Sequence, residues 1–274
     1  MERTKESIKE LAWKIRNDVL DMTFHAGVEG GHIGGAFSSA EILATLYGSE
    51  MKIDPKNPQA DDRDRFILSK GHISLAHYSV LKQCGFMTDE DIASFEANGS
   101  MYSTHELANP VHGIEFTSGS LGYGLSLGLG VALSAKMKHK GFRTFVLMGD
   151  GECNEGSVWE AAMAASKYNA DNLIAIVDKN DQQLDGYTQD VMPIVDLEQV
   201  FKGFGWNTAV IDGHDIESIQ QAIRNRADGK PTVIIAQTVK AKGISSIEGK
   251  TGWHHARINE EQYLELKKML EESR

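Results

Sequence analysis

The sequence predicts an α/β protein of three layers, with helices on both faces of a mostly parallel central sheet. Three observations carry that expectation. Short apolar runs (RFILS, TFVLM, LIAIVD, WNTAVID and PTVIIAQTV) alternate with stretches of helical character, the pattern of successive βα units. The last run is apolar almost throughout, as in a strand buried on both faces of a parallel sheet. At 274 residues the chain can bury a sizeable core. No internal repeat, low-complexity segment or linker divides it, so residues 1–274 read as one domain.

Taken in order, Thr4 to Ala26 carries Ile8, Leu11, Ile15, Val19 and Met22, the stripe of a core-packed or interface helix. The next stretch, GVEGGHIGGAFSSAEILATLYG, places five glycines around His32. A second helix is expected from Ser38 or Ser39, either of which could cap it. After DPKNPQADDRD, the strand RFILS leads into KGHISLAHYSVLKQCG. His72 thus falls at the start of a helix after a strand, the ligand-binding end of an α/β unit, while His77, further along, reads as structural. The irregular stretch NGSMYSTHELANPVHG holds His105 and His112. Gly119, Gly122 and Gly124 then open a helix of small residues. The order GSLGYG, with no apolar strand before it, argues against a dinucleotide-binding fingerprint.

The stretch Thr144 to Asn180 reads as strand, turn, helix, strand. Glycines flanking Asp150 allow a sharp turn and close approach of backbone to a ligand, and the following helix start can face an anion. Asp150 and Asn180 would end consecutive parallel strands and project into one crevice. A carboxylate, an amide oxygen and a carbonyl suit a hard cation such as Mg2+, whose remaining ligands are waters and phosphates. Beyond Asn180 come a helix near Asp196 to Phe204, the strand WNTAVID, a helix Ile216 to Arg226 and the strand PTVIIAQTV. A polar loop with His254 and His255 and an amphipathic helix, Glu260 to Glu272, follow.

A net charge of −11 and a pI near 5.4 give no basic footprint for nucleic acid or an anionic membrane. Two cysteines, Cys84 and Cys153, no secretory leader and no run of membrane-span length suit a reducing cytoplasm. Cys153, beside the turn, reads as a spectator.

GDG followed by Asn180 after 28 intervening residues resembles the thiamine diphosphate fingerprint of transketolase-like enzymes. The similarity extends over nearly the whole chain to the diphosphate-binding N-terminal half of transketolase. GGHIGG resembles the family's first histidine motif and implies that His32 contacts substrate. SKGH implies His72 at the cofactor phosphates, and STHE implies His105 near the reacting atoms. GIEFTSGSLGYGL implies that Gly119, Ser120 and Leu121 line the cofactor. GDGECNEG implies Asp150 as metal ligand, Gly151 at the diphosphate and Glu155 at the dimer-facing edge of the site. DKNDQQLDG implies Asn180 and the main-chain oxygen of Gln182 as metal ligands, with Mg2+ replaceable by Ca2+ or Mn2+. WHHA implies His254 beside diphosphate and substrate.

Ile33, Glu106, Leu107, His112, Gln182 and His255 depart from the family pattern, which bears on sugar specificity. His112 and His255 are the candidates for substrate discrimination. His25, His77, His139 and His214 read as structural or surface residues.

The resemblance covers only the first domain of a transketolase. It implies a split enzyme, in which a C-terminal subunit carries the pyrimidine-binding and C-terminal domains, assembled as α2β2. The activity implied is thiamine diphosphate- and Mg2+-dependent transfer of a two-carbon ketol unit from a ketose to an aldose. A pentose phosphate is the default donor, an unusual anionic or branched ketose the variant. Two other readings stand beside it: the α subunit of a 2-oxoacid dehydrogenase, and a non-catalytic module of the same fold. The histidine set argues against the first, and the intact Asp150, Glu155 and Asn180 against the second.

Overall fold

The computed structural model describes residues 4–194 and 196–274. Five parallel strands form one sheet: β1 (Arg65–Leu68), β2 (Thr144–Gly149), β3 (Leu173–Lys179), β4 (Asn207–Asp212) and β5 (Thr232–Gln237), in the order β1-β2-β3-β5-β4. The helices are α1 (Lys5–His25), α2 (Ile33–Ser38), α3 (Ala40–Thr45), α4 (Ser74–Gln83), α5 (Asp89–Ala93), α6 (Tyr123–Met137), α7 (Gly156–Lys167), α8 (Thr188–Val191), α9 (Leu197–Gly203), α10 (Ile216–Arg224) and α11 (Glu260–Glu272). This is the three-layer α/β/α arrangement expected from the sequence.

Each face of the sheet has its own core. On one, Phe66, Phe145, Ile174 and Ile234 pack against α1, α3, α4 and α10. On the other, Ile67, Val146, Ala175 and Val233 pack against α6, α7 and α9. Alternate strand residues therefore serve opposite layers, and both sets are apolar because neither face meets water. The apolar stripe of α1 is fully committed, since Ile8, Leu11, Ile15, Val19 and Met22 are all buried. Small residues let α6 lie close on the sheet: a Cβ at Gly128 would come within 2.4 Å of Val146 Cγ2.

One sequence expectation holds only in part. A helix does start directly after Ser39, with Ser39 at the N-cap position of α3, but the short α2 from Ile33 precedes it and neither serine makes a side-chain capping bond. Both hydroxyls instead donate back to the Gly35 carbonyl, at 3.1 and 2.9 Å, and Ser38 also donates to Asp178 at 2.6 Å. Serine inside a helix satisfies itself on the preceding turn, which here interrupts the helix at Ser39 and points both side chains toward β3. Elsewhere the expected elements stand, with α9 capped by Asp196 through Gln199 N and α11 by Asn259 in a reciprocal capping box.

Candidate functional site

The carboxyl ends of β1, β2, β3 and β5 deliver Lys70, Asp150, Asn180 and Lys240 to one cavity of about 330 Å³. His72, Leu121, Gly151, Glu155, Gln182 and His254 line it as well. This is where open parallel sheets place ligands. A larger cavity of about 790 Å³ lies elsewhere, against Trp13, Arg16 and Arg274. Its lining mixes both charges without the oxygen-donor set at the strand ends, so chemistry rather than size selects the smaller one.

Asp150 follows β2 directly. Its Oδ1 accepts from Gly151 N at 2.9 Å, and its Oδ2 accepts from Asp181 N at 2.8 Å and from the Thr188 hydroxyl at 3.2 Å. Burial and the adjacent Asp178 charge nevertheless raise its pKa to about 6. A carboxylate so placed gains from a nearby cation. Asn180 donates to Asp178 Oδ2 at 3.0 Å and turns its Oδ1 toward Gln182 N at 3.2 Å. The Gln182 carbonyl lies 3.5 Å from Lys240 Nζ. One carboxylate, one amide oxygen and one carbonyl form a hard-oxygen set that fits Mg2+. Among the described residues no cluster of three His, Cys, Asp or Glu side chains competes as a metal site.

Beside this oxygen set the cavity wall is cationic. Lys70 is buried and ion-paired with the wholly buried Asp178. Burial works against that carboxylate, but Lys70 and the Ser38 and Thr238 hydroxyls hold its pKa below the ordinary value. Burial and then the Lys70 charge lower Lys240 to about 8. Lys240 Nζ also lies 3.0 Å from His254 Nδ1. Lys70 pairs with Asp178, whereas Lys240 Nζ reaches only a carbonyl and an imidazole among the described residues, which leaves room for further negative charge, as a diphosphate would bring. Glycine permits the close packing behind this wall: a Cβ at Gly34 would fall 2.9 Å from Lys240 Cγ, and one at Gly35 3.0 Å from Ile73 Cγ2. The residues present therefore fit a metal-bound diphosphate.

The imidazoles gather at one side of this wall. The His32 ring lies 5.2 Å from His72, 5.4 Å from His254, 4.6 Å from His255 and 6.5 Å from His105, and His72 and His254 are 5.2 Å apart. Burial, then the neighbouring rings, lower His32 to about 3; burial, then Lys240, lower His254 to about 4. Burial and Lys70 hold His72 well below its usual value.

Some predicted residues stand apart. His105 is exposed and abuts Gly119 without lining the cavity. Gly119 and Ser120 line a separate cavity of about 350 Å³ beside Tyr123, and from that stretch Leu121 alone reaches the main one. Glu155 is exposed at the start of α7, on the cavity rim. His77 is buried between the Tyr47 hydroxyl and the Glu106 carboxylate, and His214 bonds Glu41, both structural as expected. Cys153 is buried with its thiol pushed well up by burial, which keeps it a spectator.

Sequence reasoning missed Lys70, Lys240, Asp178 and Glu152. Glu152 is the tie between three loops: its carboxylate accepts from the Ser69 hydroxyl, from Gly122 N at 2.8 Å and from Gly149 N at 3.0 Å. The available signal was position, since Lys70 and Lys240 closely follow β1 and β5, and Asp178 sits inside β3 beside Asn180.

A parallel sheet whose strand ends gather oxygen donors, two lysines and a cluster of histidines around one cavity suits a diphosphate-binding α/β protein. The profile of the transketolase thiamine diphosphate binding domain matches residues 8–272, and the chain belongs to that family. It is 42% identical over 251 residues to the 6-deoxy-6-sulfo-D-fructose transketolase subunit SqwG of Clostridium sp. (strain MSTE9), covering 91% of this chain and 90% of that one. It is 39% identical over 262 residues to an apulose-4-phosphate transketolase subunit of Phocaeicola vulgatus, covering 95% and 92%. The crystal structure of transketolase from Campylobacter jejuni superimposes with a TM-score of 0.90 at 30% identity, over 99% of this chain and 43% of that one. The chain thus spans less than half the length of that solved enzyme.

Proposed function

We propose that this chain is the thiamine diphosphate-binding subunit of a two-chain transketolase. A partner subunit would supply the pyrimidine-binding and C-terminal domains, most simply as α2β2. The observation that carries the reading is the near end-to-end match to relatives named as transketolase subunits. Family membership leaves the 2-oxoacid dehydrogenase reading without support. The intact oxygen set around Asp150 argues against a non-catalytic module.

When bound, thiamine diphosphate supplies the carbanion chemistry, and the protein supplies position and electrostatics. Asp150, Asn180 and the Gln182 carbonyl would hold Mg2+. Lys240, His72, His254 and the Gly151 backbone would hold the diphosphate. Glu155 stands on the rim where a partner would complete the site. His32, His72 and His254 enter the reaction neutral, and a neutral imidazole can donate to one hydroxyl and accept from another. His105, with its exposed ring, would join them when substrate and partner close over the loop. Substrates are a ketose donor with an anionic terminus and an aldose acceptor.

The test is ketol transfer from a ketose phosphate to an aldose phosphate with thiamine diphosphate and Mg2+, by this chain alone and with the partner. Activity is expected only in the mixture. Asp150→Ala is expected to lower it by 100-fold or more, about 2.7 kcal/mol, together with Mg2+-dependent cofactor binding measured by calorimetry. Full activity from the isolated chain would overturn the two-chain reading.

A further inference from the structure

We infer that His255 reads the substrate: its imidazole hydrogen-bonds a hydroxyl of the sugar chain beyond the group that His32 contacts, and so selects which ketoses the site accepts. The inference rests on the transketolase reading above and deepens it.

The position of His255 is fixed by backbone. Gly31 and Ala256 form an antiparallel bridge, each N–H donating to the other's carbonyl at 2.9 Å. In that register His32 stands opposite His255, at the neighbouring position where side chains of paired strands come closest. The rings accordingly meet at 4.6 Å, edge to face at 69°. Glycine permits the bridge: Gly30 has φ +67°, and a Cβ there would fall 2.3 Å from the Ala256 carbonyl oxygen.

The rings are ordered outward. His72 and His254 line the cavity; His32 packs on both; His255 packs on His32 outside the cavity lining and is partly open to solvent. A chain leading away from the reacting carbon meets His32 first and His255 next. His32 Nδ1 is buried with no hydrogen-bond partner among the described residues, so a polar edge that the fold itself does not satisfy lies directly beside the His255 ring. Buried polar edges of this kind discriminate strongly between a substrate that carries the matching hydroxyl and one that lacks it.

His112, the other histidine at a departing position, is accounted for differently. Its Nδ1 lies 2.6 Å from the Tyr102 hydroxyl, with the two rings stacked at 6.0 Å and 10°. Tyr102 in turn donates to Asp91 at 3.0 Å.

The test uses the assembled two-chain enzyme and three donors: D-xylulose 5-phosphate, D-fructose 6-phosphate, and hydroxypyruvate, which has no hydroxyls beyond the transferred unit. The readout is the ratio of kcat/KM for each ketose phosphate to that for hydroxypyruvate. His255→Ala is expected to lower this ratio tenfold or more, chiefly through KM. His255→Asn keeps a donor and an acceptor, should recover part of the loss, and serves if the alanine variant does not fold. His112→Ala is expected to leave the ratio within twofold. A ratio unchanged in both His255 variants, or an equal fall in kcat for all three donors, would overturn the inference. A wild-type assembly that binds thiamine diphosphate yet is silent on all three donors would overturn the reading of these ketose phosphates as its substrates, and an assembly that binds no thiamine diphosphate would overturn the transketolase reading itself. Either failure is distinguishable because it precedes any substitution.

Discussion

His32 and His254 show what the interior does to a titratable group. An imidazole in water takes up its proton near 6.5. Burial, with His255 beside the first and Lys240 beside the second, lowers them to about 3 and about 4. Both are therefore neutral across the physiological range. The unfolded chain binds these protons at higher pH than the folded one, so stability is lost as pH falls below about 6.5. In the isolated chain, the ring-nitrogen chemical shifts of both residues are expected to stay flat from pH 8 to 5. A midpoint near 6.5 in either would contradict the burial. The role of these histidines as neutral donors and acceptors depends on this result.

At the scale of elements, the Lys70–Asp178 pair joins the end of β1 to β3, and the Ser38 and Thr238 hydroxyls bring α2 and the end of β5 to the same carboxylate. Removing one partner of a buried pair leaves an uncompensated charge, at a cost of roughly 3–5 kcal/mol. Lys70→Met is expected to destabilise by that amount in urea denaturation, and Lys70→Met with Asp178→Leu by less. Equal losses in the single and double variants would mean that the ion pair is not what ties these elements.

The same junction shows what the sequence made legible. Strands were readable because each is a short apolar run, and Asp150 and Asn180 were readable because they stand in local motifs at strand ends. Lys70, Lys240, Asp178 and Glu152 were not, since each has a partner between 30 and 108 residues away that defines its role. The short α2 and the missing cap bond at Ser39 were not legible for a related reason: the hydroxyls of Ser38 and Ser39 turn inward to a carboxylate on β3, a contact absent from local propensity.

At the scale of the molecule, the cavity sits at an edge that still carries apolar surface. Leu121 and Leu184 line it at 37% and 66% exposure, and Tyr123, at 59%, stands over the neighbouring cavity. Single exposed apolar groups are ordinary, but three beside the candidate site would give the proposed partner an area to remove from water. Among the described residues no helix is long and apolar enough to cross a membrane. Leu184→Asp with Tyr123→Asp is expected to weaken association with the partner subunit at least tenfold, about 1.4 kcal/mol, by sedimentation velocity. The melting temperature of the isolated chain should barely move, because both side chains face solvent and exposed substitutions cost roughly half a kcal/mol or less. An unchanged dissociation constant would place the subunit contact on another face and leave the rim position of Glu155 without its proposed purpose. A fall in the isolated chain's own stability would instead make the two residues part of its fold.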